Sequence, residues 1–278
     1  MLAKEAGFEK VIKYCMGEKF QLAVAQCVSL AGNVDANLEE VERLCLLARG
    51  QGADLILFPE CHASGYSYKN LSSLVVATAE TLSGRIVRRL SELARAHELV
   101  VCCGMFERDE NRFYNTQVVA FPDGRVDRQR KGVTACAETE VISLDPTRRV
   151  FEWAGTRFGV LVCADSAMGN FREQFAALNI TLLLHPCAGR ILQVGPYAKA
   201  GAQKESDAGF QAGCLLAATM GVTYAAANPI GFSGEDYFPG NSWIIQPDGR
   251  HSRLAATALP AEMQPALAFA NVQGLQMA

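Results

Sequence analysis

Three residues of this 278-residue chain combine a reactive side chain with a place at the end of an apolar run: Glu60 after LILFP, Cys163 after GVLV and Lys131 after VDRQR. A thiol attacks carbon as its thiolate, a carboxylate can take the thiol's proton, and an ammonium stabilises nearby negative charge. Strand ends are where α/β proteins set functional side chains, because a rigid strand aims them into a shared crevice. Taken singly, each residue also has a plainer reading. A strand-end acid is usually solvated, a basic cluster such as RQRK is usually an exposed face, and a lone cysteine is usually core.

The elements that would have to position these residues are readable along the chain. FQLAVAQCV, ADLILFPE, LVVCCGMF and NTQVVAFPDGRV read as strands, as do RFGVLVCAD, ITLLLHP, VTYAAANP and NSWIIQPDGR. NLEEVERLCLLARGQG, Ser83 to His97, FREQFAALN and Ser206 to Met220 carry helical spacing of apolar residues. Two Pro-Asp-Gly turns imply hairpins, so the sheets should be mixed within an α/β architecture. No repeat or Pro/Gly/Ser-rich linker marks a domain boundary.

Four segments, in order, resemble the nitrilase, or carbon–nitrogen hydrolase, superfamily. GADLILFPECHASGY is similar to its glutamate segment, YNTQVVAFPDGRVDRQRK to its lysine segment and GVLVCAD to its nucleophile segment. ANPIG followed by PGNSWIIQPDG resembles its late Asn-x-x-Gly and Gly-x-Ser pattern. The likeness runs from about Phe20 to Val272. It implies a four-layer αββα sandwich of two mixed β-sheets flanked by helices, formed by a single domain over residues 20–278. Residues 1–19 are an N-terminal extension outside the resemblance, with no role assigned.

By the same resemblance, Glu60 is the general base, Lys131 the electrostatic partner and Cys163 the nucleophile, with a thioester intermediate. The backbone N–H of Ala164 is the expected oxyanion donor. Tyr66, His185 and Cys187 are possible pocket residues. Asp165 is read as a cap or loop anchor, Asn228, Gly240 and Ser242 as turn and wall residues, and Cys61 as packing on the side opposite Glu60. The resemblance also implies a second carboxylate between the lysine and cysteine segments. Glu140 is favoured, because counting four and six residues on reaches Leu144 and Pro146; Glu138 is the alternative, reaching Ile142 and Leu144. Two departures fall where the pocket rim should lie: Gly132-Val133 follows the lysine, and SAMGN follows the Cys-Ala-Asp triplet.

Composition narrows the rest. A net charge of −3 with scattered Lys and Arg gives no basic stripe for nucleic acid. No apolar run is long enough to span a bilayer, and residues 1–20 hold no apolar signal region, so a cytoplasmic protein is expected. The ten cysteines include no Cys-x-x-Cys pair, and the four histidines lack metal-ligand spacing. No metal or organic cofactor is expected, and the thiols should be reduced. The resemblance implies hydrolysis of a small linear amide or N-carbamoyl compound by a homodimer or higher homo-oligomer. The alternatives are a true nitrilase, a catalytically silent binding or scaffold member, and, less well supported for want of a paired motif, a thiol redox protein.

Overall fold

The computed structural model describes residues 19–167, 170–190, 199–256 and 265–272. The expected N-terminal extension, except Lys19, therefore lies outside the described residues. Sheet 1 has the strand order β13-β1-β2-β3-β4-β5 and sheet 2 the order β10-β11-β9-β8-β7-β6, with β12 on β11. In sheet 1, β1 (Phe20–Gln26), β2 (Leu55–Leu57) and β3 (Val100–Asp109) are parallel neighbours, and β4 (Arg112–Ala120) and β5 (Val126–Arg130) follow as antiparallel hairpins. In sheet 2, β7 (Thr156–Val160), β8 (Leu182–Pro186) and β9 (Thr223–Ala227) are parallel. The remaining strands there, β6 (Val150–Trp153), β10 (Ile230–Ser233), β11 (Asp236–Ile245) and β12 (His251–Ala256), pair antiparallel.

Side-chain alternation on these strands builds the layers. Leu22, Val24, Leu55, Leu57, Val100 and Cys102 face Phe158, Val160, Leu182, Leu184 and Ala225 in a core between the sheets. The intervening Ala23, Ala25, Ile56, Val101 and Cys103 face outward onto α1 (Val34–Gly50) and α3 (Arg85–Ala96). On sheet 2, Leu183, Tyr224 and Ala226 face α4 (Phe171–Ala176) and α5 (Lys199–Met220). The result is the αββα sandwich. Because both faces of each central strand are covered, those strands read as unbroken apolar runs rather than alternating ones.

The sequence reading places the central strands and long helices but misses several elements. Strand β13 (Ala266–Val272) pairs antiparallel with β1, setting Phe20 opposite Val272. Helix α2 (Leu71–Thr78) covers a smaller cluster around Tyr66 and Phe106. Among the described residues no helix is long and apolar enough to cross a membrane.

Candidate active site

Glu60 follows β2, Lys131 follows β5, Cys163 follows β7 and Cys187 follows β8. Since β2 and β5 run the same way in sheet 1, and β7 and β8 the same way in sheet 2, the four residues gather at the carboxyl ends of their strands. The chain over Glu60 crosses β3 at very close range: a Cβ on Gly104 would stand 2.2 Å from the Cys61 nitrogen. Only glycine lets that loop lie down, and Ala63 N–H then donates to the Gly104 carbonyl at 2.9 Å.

Lys131 is buried between two buried carboxylates. Its Nζ donates to Glu60 Oε1 at 2.7 Å and lies 3.0 and 2.8 Å from the two oxygens of Glu138. Burial works to lower the pKa of this ammonium, yet Glu60, a Cys163 thiolate and Glu138 together hold it well above the ordinary value. Asn115 on β4 ties the two acids together, its Nδ2 donating to Glu60 Oε1 at 2.7 Å and to Glu138 Oε1 at 2.9 Å. Burial first, and a Cys163 thiolate next, push the Glu60 carboxyl well above its usual range, against the pull of Lys131.

Cys163 opens a 3-10 turn, Cys163–Ala167, with φ of +47°, a left-handed conformation that is unfavourable for a residue with a side chain. Two contacts hold it there. His185 Nε2 lies 2.9 Å from the Cys163 carbonyl and donates to it, and Tyr224 Oη donates to His185 Nδ1 at 2.6 Å. Asp165 accepts from Val162 N–H at 3.1 Å, from Gly132 and Val133 N–H at 2.8 and 3.0 Å, and from Arg148 at 3.1 Å. One carboxylate thus anchors both the Cys163 turn and the loop after Lys131. The Cys187 thiol, which donates to the His185 carbonyl at 3.5 Å, is the first influence drawing the Cys163 pKa well below the usual thiol value, and the Lys131 ammonium is the next. Cys163 itself is half-buried.

Residues 21–268 match the family model described as carbon–nitrogen hydrolase. The chain belongs to the carbon–nitrogen hydrolase family. It is 27% identical to a glutamine-dependent NAD(+) synthetase of Acinetobacter baylyi over 84% of this chain and 41% of that protein. It is 29% identical to an omega-amidase of Danio rerio over 61% of this chain and 64% of that one. The chain therefore spans less than two thirds of the length of these relatives. An amidase from Nesterenkonia sp. AN1, solved with the acetamide moiety of fluoroacetamide on its active-site cysteine, shares the fold, with 22% identity, 92% and 91% of the two chains covered and a TM-score of 0.73.

Within this carbon–nitrogen hydrolase, the preference for Glu140 has to be corrected. Glu138 is fully buried against Lys131, whereas Glu140 is exposed. The cause is the 3-10 turn Cys136–Glu140. Glu138 sits at its third residue, where its Oε2 accepts the Ala135 N–H at 2.8 Å, so it points back into the site. Two residues on, a turn of three residues has swung Glu140 away. The counting argument fails for a matching reason: Leu144 is 48% exposed, while Ile142, four on from Glu138, is packed in the cluster beneath the site.

Other expected residues are redistributed. Tyr66 is buried against Phe106 and Tyr68 rather than lining an open wall. His185 grips the backbone of Cys163 from behind, and Ala164 N–H falls in the first residues of a helical turn, where no earlier carbonyl of the turn accepts it. The strand carrying Glu60 stops at Leu57, so Cys61, at φ +48°, does not point away; its sulfur bonds Asn115 Oδ1 at 3.1 Å. Ser242 accepts the Asn228 N–H at 2.9 Å, and Gly240 packs on the Gln26 side chain, both as wall residues. Sequence reasoning missed the part played by Asn115. Its signal was a polar residue on a strand whose partner β5 leads into Lys131; the Lys131 N–H bonds the Asn115 carbonyl at 2.8 Å.

Proposed function

We propose that this protein is a cofactor-independent cysteine amidase acting on a small linear amide or N-carbamoyl compound. The single observation that carries the reading is the buried Glu60–Lys131–Glu138 triad at the same strand ends as a half-buried Cys163 of depressed pKa. In the proposed cycle the proton rests on Glu60, and the Cys163 thiolate attacks the carbonyl carbon. The Lys131 ammonium and the Ala164 N–H stabilise the negative oxygen of the tetrahedral intermediate. Glu60 then gives its proton to the departing nitrogen as the C–N bond breaks, leaving a thioester. It next takes a proton from water, which adds to the thioester carbon, and Cys163 leaves as thiolate with the acid product. The raised pKa of Glu60 suits both directions of transfer. Glu138 and Asn115 fix the ammonium and the base in place, and His185 fixes the nucleophile's backbone.

The amidases among its relatives favour this reading over nitrile hydrolysis. Within it, residues 20–278 act as one domain, in a cytoplasmic homo-oligomer. The test is ammonia release from a panel of small amides, carbamoyl amino acids and nitriles, run on the wild type and on Cys163→Ala. Turnover of an amide that vanishes in Cys163→Ala supports the proposal; turnover of nitriles alone, or of nothing in the panel, counts against it.

A further inference from the structure

Cys187 is a second thiol in the site for which hydrolysis has no need as a reacting group. Strands β7 and β8 pair in parallel, Phe158 with Leu182 and Val160 with Leu184. Beyond these pairs Leu161 N–H still donates to the Leu184 carbonyl at 2.8 Å, and Cys163 and Cys187 follow at the same ends of the two strands. Neighbouring strands lie about 4.8 Å apart, within the roughly 4.4–6.8 Å between Cα atoms that a disulfide bridges. Each thiol is the first influence on the other, drawing Cys163 down and pushing Cys187 up, and the Cys187 thiol donates to the His185 carbonyl at 3.5 Å. His185, two residues before Cys187, ties the backbones further through its 2.9 Å bond to the Cys163 carbonyl. Both thiols are half-buried, whereas Cys27, Cys45, Cys61, Cys102 and Cys103 are buried; Cys214, also half-buried, packs on the far helical layer.

We propose that Cys187 is a resolving thiol, closing a peroxide-oxidised Cys163 into a reversible disulfide that switches the site off. The Cys163 sulfur attacks one oxygen of hydrogen peroxide, the O–O bond breaks, and hydroxide leaves and is protonated to water. Cys163 is then a sulfenic acid. The Cys187 sulfur attacks it, losing its proton; the S–S bond forms, the S–O bond breaks and a second water leaves. Two thiols and one peroxide give one disulfide and two waters, with sulfur oxidised and peroxide reduced. The order follows from the site's charges: the neighbouring Cys163 thiolate is the first cause holding the Cys187 proton on, and its influence weakens once Cys163 is an uncharged sulfenic acid.

The test uses the full chain with a modest excess of hydrogen peroxide, followed by alkylation and non-reducing peptide mass spectrometry. A linked peptide pair containing Cys163 and Cys187, with activity restored by dithiothreitol, is expected. In Cys187→Ser the same treatment should carry Cys163 to the sulfinic acid, with recovery on reduction about tenfold lower or worse. Sulfinic acid on wild-type Cys163 without a linked pair, or a link from Cys163 to another cysteine, overturns the proposal. The linked pair is read without turnover, so its absence is distinguishable from failure of the amidase reading, and it stands on the wild type even if Cys187→Ser does not fold.

Discussion

Replacing Glu138 by glutamine removes one charge and keeps the shape, and the geometry says what that costs. Both Glu138 oxygens face only donors: Oε1 meets Lys131 Nζ and Asn115 Nδ2, and Oε2 meets Lys131 Nζ and Ala135 N–H. A glutamine must aim its NH2 at one of these pairs, setting donor against donor in a buried site. A buried group left unsatisfied costs about 1–3 kcal/mol, and Lys131 loses one of its two carboxylates besides. The Cys163 thiolate remains near Lys131 and Glu60 stays hydrogen-bonded to it, so the fold should survive. A site loosened by about 2.7 kcal/mol in the transition state is slower by roughly 10². Glu140→Gln touches an exposed side chain and should stay within about 0.5 kcal/mol in stability, with kcat unchanged. The assay is kcat and KM on the best amide of the panel for both variants, with circular dichroism and urea unfolding as controls. Full activity in Glu138→Gln, or a loss in Glu140→Gln with the fold intact, would refute the assignment.

Three further outcomes are expected. The rate of Cys163 alkylation by iodoacetamide should titrate well below the ordinary thiol pKa, and Cys187→Ala should move that midpoint upward; an unchanged midpoint would remove the Cys187 thiol as its cause. His62 is buried, stacked on Phe58 at 5.3 Å and 3.6 Å from the Cys27 sulfur, and burial lowers its pKa from 6.5 to about 4. The unfolded chain therefore binds a proton between pH 6.5 and 4 that the folded chain does not, so stability falls as pH drops through that window. From pH 7 to 5 the loss is about 2 kcal/mol by urea unfolding, and a His62→Phe variant that keeps the whole of that loss would contradict it. Light scattering at micromolar concentration should give at least twice the 30.0 kDa chain mass, and a species of single-chain mass alone would exclude the oligomer.

What the sequence made legible follows from where free energy is concentrated. The central strands are covered on both faces, so their apolar runs had no other use, and their ends located Glu60, Lys131 and Cys163. What stayed hidden was local geometry. Choosing between Glu138 and Glu140 needed the phase of one 3-10 turn, which no periodicity encodes over five residues. The direction of Cys61 depended on β2 ending at Leu57, and a period-two argument carried past a strand's end gives the wrong side. Strand β13 is rich in alanine, a weak strand former, and is ordered by its long pairing with β1. Asn115 announced nothing beyond one polar residue in the run Asn115-Thr116-Gln117, because its work is to join two acids brought together only by tertiary structure.

The central claim is that Cys163 carries the acyl group of an amide substrate as a thioester. Acid-quenched mixtures of enzyme and a turned-over amide, resolved by intact-mass and peptide mass spectrometry, test it most directly. The account predicts an adduct with the mass of the acyl group on the Cys163 peptide, present during turnover and absent from Cys163→Ala, which also releases no ammonia. An adduct on another residue, or ammonia release by Cys163→Ala at the wild-type rate, would contradict it.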